Sequence, residues 1–169
     1  REAETLKQKL SELNAYLVEN NKKADKYEQY SEQYKELLAR QEYMETTFVT
    51  QLVAARDKCI DTFKRGSFYK KLPSLIEKGD TILRIDKRKE LQETINKDFI
   101  LLRHSLMTYF DVTDEEFFLY CLSASGFSTK ECAACRGVSV SAIRMQRMRM
   151  NNKIKSFFST DIDLSHILL

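Results

Sequence analysis

Chain breakers are scarce in this 169-residue sequence, which has one proline, four glycines and no tryptophan. Proline and glycine punctuate strands and turns, so their scarcity argues against a turn-rich β architecture and predicts an all-α chain with few interruptions. No run of about 18 apolar residues occurs, so no segment reads as a membrane span, and no signal peptide is recognisable. The only two histidines, His104 and His166, do not pair with each other or with a cysteine. No metal site is therefore expected. Cys59, Cys121, Cys132 and Cys135 do not read as a secreted disulfide framework, and a reducing cytoplasm fits them. Phosphate-cradling glycine loops, nucleophile elbows and kinase motifs are all missing, so we expect neither an enzyme nor a cofactor, and no small-molecule site is evident.

Residues that build helices are abundant: 43% of the chain is hydrophobic and 31% charged. From Glu2 to about Phe63, Leu6, Leu10, Leu13, Leu17, Ala24 and Tyr27 alternate steps of three and four, the spacing of a coiled coil. Asn20 takes a core position in that register. Past Tyr34 the best seam moves to Leu37, Gln41, Met44, Phe48, Leu52, Ala55 and Cys59, so one slip of register is expected. A hairpin turning at residues 19–23 is the alternative. We divide the chain into a coiled coil (1–64), a helical connector (65–110), a DNA-binding candidate (111–158) and a tail (159–169). Lys64-Arg65-Gly66-Ser67 and Glu77-Lys78-Gly79-Asp80 are read as breaks, and Pro73 as a helix start or joint. Leu91, Ile95, Phe99, Leu102 and Leu106 predict one helix over 87–109, packed on the unit that follows. The tail residues Ile162, Leu164, Ile167 and Leu168 have two destinations, the chain's own core or a second subunit. Because Arg1 opens in mid-pattern, we expect a piece of a longer protein.

Three N-cap residues open three consecutive helical patterns: Thr113, Ser128 and Ser139. In Thr113/Glu116 and Ser128/Glu131 the hydroxyl faces an amide three residues on and the glutamate reaches back, the arrangement of a capping box. Gly126 and Gly137 fall between the patterns, where helices end and positive φ is needed. Ala133, four residues before Gly137, and Ile143, six after it, have helix-turn-helix spacing. The window between Cys132 and Thr160 has no acidic residue and six basic ones, while the chain as a whole is +3. The remainder therefore sums to −3, and the positive field is local, as a polyanion partner requires. Cys132-Ala-Ala-Cys135 has the spacing of half a zinc site. Cys132 nevertheless stands where a small apolar core residue is wanted, and we read both cysteines as packing.

Val112-Thr113, Glu116, Gly126-Phe127-Ser128-Thr129-Lys130-Glu131, Ala133, Gly137-Val138-Ser139, Ile143, Met150 and Lys153-Ile154 resemble the DNA-binding domain of LuxR/GerE-type regulators. The resemblance covers about a quarter of the chain. It implies that the helix from Val140 enters the major groove with Arg144, Met145 and Met148 at base edges. We expect Ser139, Ser141, Arg147 and Lys153 at phosphates. Three residues depart from the family pattern: Arg136 stands where a buried leucine is usual, Met148 where the site is often basic, and Gln146 where a ring or aliphatic chain is usual. A coiled coil, a connector and this terminal domain together are similar to the cytoplasmic portion of membrane-anchored regulators of Bacteroidetes. That similarity implies an inner-membrane anchor before Arg1. The expectation is a homodimer, paired through the coil, that binds duplex DNA as a transcription regulator. The alternative is a scaffold whose trihelical unit docks a protein.

Overall fold

The computed structural model describes residues 2–76 and 82–169, and among these it has seven α-helices and no strand. The chain is all-α. The helices are α1 (Glu2–Arg65), α2 (Ser67–Ile76), α3 (Ile85–Asp98), α4 (Ile100–Tyr109), α5 (Asp114–Ala124), α6 (Thr129–Arg136) and α7 (Val140–Phe157). Two compact units divide between Tyr43 and Met44, inside α1, rather than at the 64/65 boundary drawn from sequence.

The first unit is α1 as far as Tyr43. The helix is unbroken through 19–23, so the hairpin alternative does not hold. Glu2 and Glu4 in its first turn favour the positive end of the helix dipole, and the Glu19–Lys23 pair at 3.4 Å adds a small exposed contribution. Leu6, Leu10, Leu13 and Leu17 are all more than half exposed.

The second unit contains the rest of α1, the other helices and the tail. Glu45, Val49, Leu52, Cys59 and Phe63 of α1 are buried in it, whereas Met44 is exposed. Of the seam expected past Tyr34, Leu52 and Cys59 are buried, Phe48 packs against the core and Ala55 is half-buried, whereas Glu45 is buried in place of its neighbour Met44. The seven-residue register of Leu10, Leu17, Ala24, Ser31 and Leu38 continues to Glu45, Leu52 and Cys59. A buried carboxylate holds the seam at Glu45: Oε1 accepts from the Ser159 amide at 2.8 Å and hydroxyl at 2.9 Å, and Oε2 from the Thr160 amide at 3.0 Å and its hydroxyl. These charge-assisted bonds offset the desolvation of the carboxylate, which unpaired would cost several kcal/mol.

The tail docks on the chain's own core. Ile167 is fully buried, and Ile162, Leu164 and Leu168 pack against the same cluster. Three polar ties hold its end: Tyr120 Oη donates to the Ile167 carbonyl at 3.1 Å, Arg56 donates to the His166 carbonyl, and the Asn151 amide exchanges two 2.8 Å bonds with the Leu169 backbone. Phe48 meets Tyr109 at 4.8 Å and Phe157 at 5.6 Å between ring centroids, so α1 touches the ends of α4 and α7.

Gly66 separates α1 from α2 as expected, but Pro73 lies inside α2 rather than at a start. Its ring removes the N–H that would bond the Tyr69 carbonyl, and Phe68 and Leu72 of the same helix are buried. The second expected break, Glu77-Lys78-Gly79-Asp80, lies outside the described residues. Ile82–Arg84 is not helical: Leu83 is buried, and its amide donates to the Ala134 carbonyl at 2.9 Å. The expected 87–109 helix is two helices, α3 and α4, joined at Phe99. Its φ of −102° and ψ of 21° leave the helical range and interrupt the run, and its fully buried ring packs edge-on against Phe63 at 5.5 Å. α3 packs on α5, carrying the connector onto the C-terminal helices.

Candidate nucleic-acid interface

Helices α5, α6 and α7 start where the cap residues predict. Thr113 Oγ1 accepts from the Glu116 amide at 3.2 Å while Glu116 Oε2 accepts from the Thr113 amide at 3.0 Å. Ser128 and Glu131 repeat the exchange at 3.1 and 3.3 Å, and Ser139 accepts from the Ala142 amide at 3.1 Å. Gly126 and Gly137 have φ of 94° and 65°. Gly137 is required by its positive φ, and the Arg88 guanidinium lies over its Cα, where a Cβ would displace it. The α6–α7 turn is thus closed over by a side chain from α3.

Ile143, Met150 and Ile154 form the buried stripe of α7. On the opposite side, Ser141, Arg144, Met145 and Met148 are exposed together, with Ser139 at the helix start. Met145 is 50% and Met148 57% exposed, too much for core residues. Arg149, Asn152 and Lys155 extend this exposed side. The sequence counts Arg149 and Lys155 among the basic residues of the window without a contact for either and does not point to Asn152, although stepping by threes and fours from Ser141 reaches all three.

Arg147 and Lys153, expected at phosphates, stand elsewhere. Arg147 is half-buried, and its Nη2 donates to Ser123 Oγ at 3.2 Å and to the Phe127 carbonyl at 3.4 Å, anchoring the α5–α6 turn. The Lys153 ammonium donates to the Asp111 carbonyl and to Glu116 Oε2, both at 2.7 Å. Burial alone would raise the Glu116 carboxyl, but Lys153 and the Thr113 amide outweigh it and hold the group below the ordinary carboxylate value.

Arg136 and Gln146, two of the three departures from the family pattern, meet each other. The Arg136 side chain is only 8% exposed, lies 3.5 Å from Glu115, and donates to Gln146 Oε1. Burial lowers its pKa, and Glu115 opposes the shift.

Cys132 and Cys135 are buried, and burial raises both thiols, that of Cys135 to about 12. A group held that high has almost no thiolate near neutral pH, and thiolate is the form that binds metal or attacks disulfides. Among the described residues, no group of three or more histidines, cysteines and carboxylates converges, and no helix is long and apolar enough to cross a membrane.

No family model matches the chain, and no curated protein or solved structure matches it either. The likeness to LuxR/GerE-type regulators therefore rests on the quoted residues alone.

Proposed function

We propose that this chain is the output portion of a signal-responsive transcription regulator, with α6 and α7 as a helix-turn-helix that binds duplex DNA. The observation that carries the reading is the exposed side of α7. Arg144, Arg149 and Lys155 project there beside Ser141, Met145 and Met148, within a window free of acidic residues. Cations supply phosphate affinity, while an arginine and apolar side chains at the start of the helix suit guanine edges and thymine methyls. Arg144, Met145 and Met148 read bases in this proposal. Ser139, Ser141, Arg149 and Lys155 meet phosphates, whereas Arg147 and Lys153 position the helix from behind. One unit gives weak and mainly non-specific binding, so two chains act together on half-sites about 34 Å apart. The seam of α1 holds the pair. The protein works on the cytoplasmic side, with an inner-membrane anchor before Arg1 implied by the resemblance.

A second reading, a scaffold whose helical unit docks a protein, draws on the same exposed methionines, which also fit an apolar groove. Salt separates the two. Counterion release makes DNA binding fall steeply as salt rises, and a titration against mixed-sequence duplex reads it directly.

A further inference from the structure

The apolar seam of α1 is exposed in the single chain: Leu10 is 61% and Leu17 52% exposed. We propose that its occupant is a second copy of this chain, parallel and in register, and that this pairing ends before Glu45. The inference deepens the dimeric reading above by fixing its orientation.

The register supplies the argument. Leu10, Leu17, Ala24, Ser31 and Leu38 recur every seven residues as one core row, and Leu6, Leu13, Asn20, Tyr27 and Tyr34 form the other. In a parallel, in-register pair each core residue faces its own copy, so the Asn20 amide meets another Asn20 and the two hydrogen-bond. In an antiparallel pair the rows face one another, and Asn20 lies against Ala24 at full overlap or Leu17 one heptad short. Its amide is then left without a partner inside an apolar seam.

Flanking charges agree. A parallel pair sets each residue before a core row against the one five positions later in its partner. Glu2 then meets Lys7 and Lys23 meets Glu28, both attractive, while Lys9 meets Asn14 and no like charges are opposed. Full antiparallel overlap brings Lys23 against Lys23 and Lys7 against Lys35. Lys23 also pairs with Glu19 of its own helix, but at 72% exposure its ammonium remains within reach of the second chain.

The downstream limit follows from the same row. Its next members, Glu45, Leu52 and Cys59, are buried by the chain's own tail and helices, with Glu45 held by Ser159 and Thr160. A second helix has no seam to occupy past that point. A parallel pair therefore presents both C-terminal units at the same end, as adjacent half-sites require, and an antiparallel pair separates them.

Cysteine cross-linking of the full chain tests this without DNA, so its outcome is independent of whether the protein binds DNA. The four native cysteines are buried and serve as an unlinked background. Under mild oxidation Leu10→Cys alone is expected to give a covalent dimer, since residues facing their own copies lie within disulfide reach. A mixture of Leu10→Cys with Tyr34→Cys should give no more cross-linked heterodimer than uncoupled chains do. Preferential linkage of the Leu10→Cys chain to the Tyr34→Cys chain would establish the antiparallel pair and overturn the proposal, as would a chain that sediments as a monomer. Independently, Lys23→Glu is expected to raise the dimer dissociation constant about threefold to tenfold, and Lys23→Glu with Glu28→Lys to restore it. Failure of the double change to restore dimerisation would remove the proposed pairing.

Discussion

The Arg136 guanidinium donates to Gln146 Oε1 across the α6–α7 turn, so two departures from the LuxR/GerE pattern form one contact. The arginine takes a position suited to a buried leucine, and the glutamine supplies the acceptor that makes its burial tolerable. Gln146→Leu alone leaves a desolvated guanidinium with Glu115 at 3.5 Å as its remaining charged neighbour, and is expected to cost about 1 to 3 kcal/mol. Arg136→Leu together with Gln146→Leu restores an apolar contact and should return most of that loss, because replacing a buried polar pair as a whole is often neutral or stabilising. Urea unfolding of the two single variants and the double variant checks this. Strictly additive losses would show that the two residues do not act as a pair.

Glu116 links the start of α5 to Lys153 of α7, and its carboxyl is held below the ordinary value of 4.5. A folded-state pKa depressed in this way contributes stability that is fully present above about pH 4.5 and is lost as pH falls through the folded value. Glu116→Gln is expected to lower the melting temperature at pH 7 and to narrow its gap from the parent as pH is lowered below 4.5. A gap independent of pH would place the source of the shift elsewhere.

Arg144 and Arg147 are three residues apart on α7 but differ in what they touch. Arg144→Ala is expected to cost about 1 to 3 kcal/mol on a preferred operator and to blur sequence preference at one position. Arg147→Ala removes the tie to Ser123 and Phe127 and is expected to lower thermal stability by about 1 kcal/mol while leaving the salt dependence of binding unchanged. Melting curves and binding isotherms on matched and altered duplexes separate the two. Equal loss on every sequence from Arg144→Ala would withdraw its assignment to a base.

The helical class and the three C-terminal starts were legible because they depend on local chemistry. A hydroxyl, a glutamate three residues on and a glycine at positive φ need no knowledge of distant residues. What escaped depended on tertiary partners. Glu45 reads as a solvated residue beside Met44, and it is Ser159 and Thr160, more than a hundred residues away, that receive its carboxylate. Phe99 reads as one more apolar residue in a continuous helix until Phe63 receives its ring. Arg147 and Lys153 were assigned to phosphates for their charge, whereas the inward direction of each is set by carbonyls and a carboxylate on other segments. The same limit explains why Arg149 and Lys155 read only as charges in a basic window and Asn152 does not read as part of the exposed side, since which arc of α7 is exposed follows from how α5 and α6 cover it.

Affinity of the full chain for a mixed-sequence duplex, followed from about 50 to 200 mM salt, tests the DNA-binding reading most directly. Two chains, each presenting Arg149 and Lys155 to phosphates, set about four cationic phosphate contacts, a logarithmic slope near −4 and a loss of affinity of about 150-fold over that range. Lys155→Ala should make the slope shallower by about 1 for each chain bound. Absence of binding at the lowest salt, or binding that does not change with salt, would contradict a DNA-binding function and leave the exposed side of α7 to a protein partner.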